Sequence, residues 1–182
     1  EYELFRNNKS IGYHTYKFQR NSNDLTIINE VSFKITKLGV TLYKYYAKGV
    51  EKYKNGIFSG FNSETNQNKK EKYVNIKVDP VDKNLIIDGS SYKGKADKDF
   101  IVGTWWNHEI IKAKAQISAI SGRIIEQNVT FLGKEKIKIG EKLRVVPKDI
   151  GNAAVSIPLK PAAIETPPGK SSSDESEVAG IK

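Results

Sequence analysis

The sequence predicts an all-β protein: a single curved antiparallel sheet bent into a partial barrel or clam-like shell, with a short helix or loop near residues 97–114. Two observations carry this. Leu25, Ile27, Val31, Phe33 and Ile35 alternate with Thr26, Glu30, Ser32, Lys34 and Thr36, and the same two-residue rhythm recurs at Val74–Val78 and Lys134–Ile139. Successive side chains of a strand point to opposite faces, so each run writes one apolar and one wet face. Short clusters of Asn, Gly, Ser and Asp punctuate the runs, as hairpin turns do.

The elements follow in order. Tyr2–Arg6 reads as a strand, Asn7–Ser10 as a turn, and Ile11–Gln19 as a second strand. Asn21–Asp24 turns into a long third strand, Leu25–Lys37. Leu38-Gly39 offers a bend or bulge, because glycine tolerates the required backbone angles. Val40–Lys54 is a fourth strand, and Asn55-Gly56 is a strong tight-turn signal. Ile57–Thr65 and Glu71–Val78 follow, separated by the polar turn 66–70. Asp79-Pro80 ends that run, and Asn84–Asp88 reads as a short seventh strand. Alternation is lost over 90–115. Ile117–Ile120 reads as a brief strand, Arg123–Leu132 as a longer one, Gly133 as a turn, and Lys134–Ile139 as the last strand.

Composition changes after Val145. The remainder has no aromatic residue and holds five of the six prolines. The reading is a β domain over 1–144 and a Pro/Ser-rich linker or disordered tail over 145–182, since such a composition buries too little apolar area to offset its ordering entropy. Ala153–Ile157 could add one edge strand.

The chain has 182 residues and 38% hydrophobic residues, enough for one domain with a core. No run approaches the ~20 apolar residues of a membrane-spanning helix. There is no cysteine, which excludes disulfides, thiolate metal sites and a cysteine nucleophile. No methionine precedes Glu1, so a removed leader is expected, either a secretory signal or a trimmed end. The formal charge is +9, nearly all of it from lysine. Nucleic-acid readers favour arginine forks, so a solvated lysine face is expected and no nucleic-acid partner.

Chemistry-bearing motifs are sparse. The histidines are His14 and His108, and no metal-ligand spacing joins them, so no metal site or cofactor is expected. There is no Gly-x-Ser-x-Gly elbow and no phosphate loop. Glu30, Glu51, Glu64, Asp88 and Glu126 could supply paired acids, but the wet phase of a strand is the expected place for most of them. The most specific segment is Thr104-Trp105-Trp106-Asn107-His108, which holds both tryptophans in the least regular stretch. It reads either as a structural plug or as a pocket lip of Trp105, Trp106, Asn107 and His108. Asn29 and Gln127 fall in phase with apolar neighbours. A buried amide needs a partner, and two of them suit a cavity better than a dry core.

Several segments together resemble a family of uncharacterised, mainly exported bacterial proteins classed as a domain of unknown function. They are Tyr2–Arg6, Ile11-Gly12-Tyr13-His14, Leu38–Tyr45, Asn55-Gly56-Ile57, Ser63-Glu64-Thr65, Thr104–Asn107 and Gln116–Ile124, followed by Gly133 and Glu135. The resemblance covers about residues 1–143. It implies a removed signal peptide, a periplasmic or secreted location and a curved antiparallel sheet, and it implies no activity and no catalytic residues. Such proteins continue with further strands ending in an aromatic-rich segment, whereas here the pattern breaks after Arg144.

The functional expectation is an exported, non-enzymatic protein that binds a lipid-like or apolar small molecule in the concave face. Phe33, Ile35, Tyr43, Tyr45, Val74, Ile76 and Phe131 would line it, Asn29 and Gln127 would supply polar contacts, and Trp105 and Trp106 would stand near the mouth. The alternatives are a hydrolase using His108 or His14 with a carboxylate, and a ligand-free envelope scaffold touching anionic membrane surfaces through lysines.

Overall fold

The structure, a computed structural model, describes residues 1–139 and 142–151. Its main element is an eight-stranded antiparallel meander in which every strand pairs with its sequence neighbour. The strands are β1 (Tyr2–Arg6), β2 (Lys9–Asn21), β3 (Asp24–Lys37), β4 (Val40–Lys54), β5 (Ile57–Gln67), β6 (Lys70–Val78), β7 (Leu85–Gly89) and β8 (Lys93–Ala96). The sheet is not closed into a barrel, and β1 and β8 are its edges. Register shifts at Leu4/Phe5, Ile35/Thr36 and Lys52/Tyr53 interrupt the ladders. Each such bulge bends its strand and increases the local twist.

The first five connections all turn in two residues: Asn7-Asn8, Ser22-Asn23, Leu38-Gly39, Asn55-Gly56 and Asn68-Lys69. Four have positive φ at both positions. That geometry matches the right-handed strand twist and favours Asn and Gly. Leu38-Gly39, expected as a bend or bulge, is one of these tight turns, with Leu38 at φ 50°.

The stretch that lost alternation folds back over one face of the sheet. It contributes β9 (Ile101–Val102), a single 3-10 turn (His108–Ile111), β10 (Ala115–Ile117) and β11 (Ile124–Glu126). β10 lies between β9, which is parallel to it, and β11, which is antiparallel. Ile117–Ile120 was expected as the strand; the pairing falls on Ala115–Ile117 instead, because Ser118–Gly122 turns back on itself through Gly122 N–H to Ser118 O.

β12 (Val129–Ile139) and β13 (Lys142–Gly151) form a separate two-stranded ribbon. Gly133 was expected to turn the chain. It sits instead inside β12, at a register shift between Phe131 and Gly133, with φ 131°. A bulge absorbs the extra residue without ending the strand. β13 carries strand pairing past residue 144 as far as Gly151. The rest of the expected tail, including Ala153–Ile157, lies outside the described residues.

The covered face buries two clusters. In the first, Phe61, Val74, Ile76, Leu85 and Ile87 of β5–β7 pack against Val102 and Ile117 of the cover. Val74 and Ile76, expected to line open space, are sealed here, because the cover lies directly on this half of the sheet. Full burial of each such aliphatic or aromatic side chain contributes about 1.5–3 kcal/mol. The second cluster is Val31, Phe33 and Tyr45, flanked by Ile35, Tyr43, Ala47 and Ile120. Phe33 stacks on Tyr45 at 5.0 Å between centroids and on Tyr43 at 6.0 Å. Gly89 and Gly122 bring the cover against β7: a Cβ on Gly89 would stand 2.7 Å from the Ser121 carbonyl oxygen.

Candidate functional site

Between the two clusters the cover stands off the sheet and leaves a cavity of about 70 Å³. Its sheet wall comes from β2–β5 and includes His14, Asn29, Tyr45, Gly49 and Ser63. Its other wall comes from the cover and includes Thr104, Trp105, Gln116 and Ile120. Trp105 keeps 45% of its surface exposed, so the cavity meets solvent on that side.

His14 and Asn29 lie diagonally across the β2–β3 ladder, where Asn29 faces Tyr16 and His14 faces Val31. A 2.7 Å hydrogen bond joins His14 Nε2 to Asn29 Oδ1. Burial pushes the His14 pKa below its usual 6.5, and the bond to Asn29 opposes this only in part. The imidazole is therefore neutral near pH 7. With Nε2–H donating to Asn29, Nδ1 is left with its lone pair. The ring also packs on Tyr16, 4.5 Å between centroids.

Tyr45 is 1% exposed, and its hydroxyl has no hydrogen-bond partner in the protein. Burial drives its phenol pKa upward. The Thr65 hydroxyl is in the same condition. Tyr45 pairs with Gln67 and Ala47 with Thr65, so Tyr45 and Thr65 are diagonal neighbours on the covered face.

Beside the cavity stands one of the five strand acids, most of which were expected on the wet face. Glu51 is only 2% exposed. Its Oε2 accepts from Trp106 Nε1 at 2.7 Å and Thr104 Oγ1 at 2.8 Å, and its Oε1 accepts from the Tyr53 hydroxyl at 2.6 Å. A buried carboxylate is tolerated when several donors replace its water. The Tyr16 hydroxyl adds a bond to Thr104 O at 2.8 Å. Trp106 is also met edge-on by Phe18 and Tyr53. These contacts fix both neighbours of Trp105, whose own backbone sits at φ 63°.

The expected site residues therefore divide. Asn29, Tyr45 and Trp105 line the cavity. Phe33 and Tyr43 form the aromatic stack behind Tyr45. Trp106 is tied to Glu51. Asn107 caps the 3-10 turn by accepting from Glu109 N–H at 3.0 Å, and His108 is exposed on that turn. Gln127 braces the cover from within: its Nε2 donates to the carbonyls of Ile110 and Ala113, and its Oε1 accepts from Gln116 at 3.0 Å. Phe131, expected as a lining residue, is 60% exposed on β12, because the ribbon does not continue the sheet. Among the described residues no group of three His, Asp or Glu converges as metal ligands, and no helix is long and apolar enough to cross a membrane.

These features define a class: an open antiparallel meander whose one face is roofed by irregular chain around a small mixed-polarity cavity. The family described as “Domain of unknown function (DUF6134)” matches residues 2–148, and the chain belongs to it. No match was found among curated proteins or among solved structures.

Proposed function

We propose that this protein is an exported, non-enzymatic binding protein of bacterial type that holds a lipid-like or apolar small molecule against the covered face of its sheet. The observation that carries the reading is the cavity of about 70 Å³ between Tyr45 and Trp105, beside a packed apolar cluster. Drug-sized sites run to about 300–1,000 Å³. This one takes a compact end of a ligand, with the rest lying outward past the exposed Trp105 indole. Export rests on the resemblance to mainly exported proteins.

The test is native mass spectrometry, with organic extraction, of protein purified from its own host, alongside Ala47→Phe. Ala47 lines the cavity, so the larger ring fills it. A bound apolar species in the parent that disappears in the variant supports the reading. Its absence from the parent, together with no response to added hydrocarbon, rejects it.

A further inference from the structure

The edge of β2 is a surface separate from the cavity. We infer that this edge, from Thr15 to Asn21, is a docking site for an extended acidic peptide, which adds to the sheet as a further strand.

β1 covers only part of its neighbour. Its pairing with β2 runs over Lys9–His14 and ends where Tyr2 meets His14. Beyond that point Thr15–Asn21 pairs with β3 alone. The two-residue turn at Ser22-Asn23 makes Asn21 and Asp24 a hydrogen-bonded pair, and such pairs recur at every second residue back to Thr15. Tyr16, Phe18 and Arg20 therefore turn their backbone N–H and C=O groups to the open side. A row of this kind is a template for strand addition. The cover braces it from one face: the Tyr16 hydroxyl donates to Thr104 O at 2.8 Å, and Phe18 meets Trp106 edge-on at 5.8 Å between centroids. Phe18 still keeps 52% of its surface exposed, which leaves an apolar contact for an incoming side chain.

Charge selects the partner. β2 carries Lys9, Lys17 and Arg20 and no acid. Lys17 faces Ile28 and Arg20 faces Leu25 across the ladder. Both cations are exposed, and neither forms an ion pair among the described residues. A second copy of this edge would set the cations of both molecules along one seam with no acid among them, which opposes self-pairing. A peptide strand with glutamates on the Lys17 face and apolar side chains on the Phe18 face complements both sides. An acid at its end reaches Arg20, which shares the face of Phe18.

The experiment titrates the full chain with two capped octapeptides, one alternating glutamate with valine and the other lysine with valine, at neutral pH and low salt. Amide resonances and hydrogen exchange are read residue by residue. The expected result is saturable binding of the glutamate peptide with slowed exchange at Tyr16, Phe18 and Arg20. The lysine peptide should bind at least about tenfold more weakly, since attractive charge pairs become repulsive at Lys17 and Arg20. In the chain carrying Lys17→Glu and Arg20→Glu the preference reverses. Equal binding of the two peptides, no binding of the glutamate peptide, or protection confined to other strands overturns the inference. Slowed exchange at the three amides without peptide, growing with protein concentration, gives the edge to a second copy and overturns it as well. The comparison of the two peptides on the parent chain decides the matter even where the doubly substituted chain folds poorly.

Discussion

Glu51 and Trp106, fifty-five positions apart, meet in the interior through a 2.7 Å bond from the indole N–H to Oε2. The contact joins the C-terminal part of β4 to the cover. Because Thr104 shares the same oxygen, the chain on both sides of Trp105 is held at once.

Removing that anchor is expected to loosen the cover. Glu51→Ala strands three buried donors, at a cost of about 3 kcal/mol or more. Glu51→Gln keeps the shape. Its amide can turn toward the Tyr53 hydroxyl, which can accept, so the loss is about 1–2 kcal/mol. Urea unfolding gives both values, and a red shift of tryptophan emission in Glu51→Ala reports the freed indole.

Leu38 is 94% exposed and holds φ 50° in the β3–β4 turn. A leucine there bears the left-handed penalty with no burial in return. Leu38→Asn should raise stability by about 0.5–1 kcal/mol. Thermal denaturation checks this, and an unchanged or lower midpoint counts against the turn geometry.

Gly12 faces Phe33 across the β2–β3 ladder. A Cβ there would stand 2.0 Å from the Ser32 carbonyl oxygen and 2.6 Å from the Phe33 Cα, both backbone atoms. Gly12→Ala is therefore expected to cost about 2–3 kcal/mol by forcing the strands apart. Denaturant midpoints at equal slope measure it.

Alkali should destabilise the fold through its buried phenols. Burial raises the Tyr16 pKa from 10 to about 12, with the Tyr2 and Glu51 neighbours adding to the shift. Between these values the unfolded chain has lost the proton that the native state retains, so stability falls as pH rises. Burial and the Glu51 charge shift Tyr53 the same way. Tyr16→Phe should flatten the stability curve above pH 10. Tyrosinate absorbance during an alkaline titration checks the order of events.

His14 acts at the other end of the scale. Its native pKa lies below the ordinary 6.5, so the unfolded state takes up the proton first as pH falls. The contribution of His14 is complete above pH 6.5 and is lost as pH drops through the native value. In His14→Gln the decline over that window should shrink, as read by unfolding free energies across mildly acidic buffers.

Much of the sheet was legible because its signals are local. Period-two runs place β3, β4 and β6, and Asn55-Gly56 places a turn of the type that forms there. The cover was not legible. Its strands are two or three residues long, and it is held by contacts such as Tyr16 to Thr104 that span eighty-eight positions. Within the site, Asn29 was found by its phase. Glu51 was named only among five acids, most of them expected on the wet face, although it shares the phase of Tyr45 and Tyr53. The phase was the better guide, since three donors replace the water. Gly133 misled for a related reason: a glycine that ends one strand can equally bulge another.

The neighbour-to-neighbour order of β1–β8 has a kinetic corollary. Each hairpin can close as soon as its two strands leave the ribosome, since no partner lies far along the chain. The roof over Tyr45 cannot, because it is drawn from residues 101–125 and must wait for the platform beneath it. Secondary structure should therefore mature ahead of the indole environment during refolding, with Trp106 docking as the closing event.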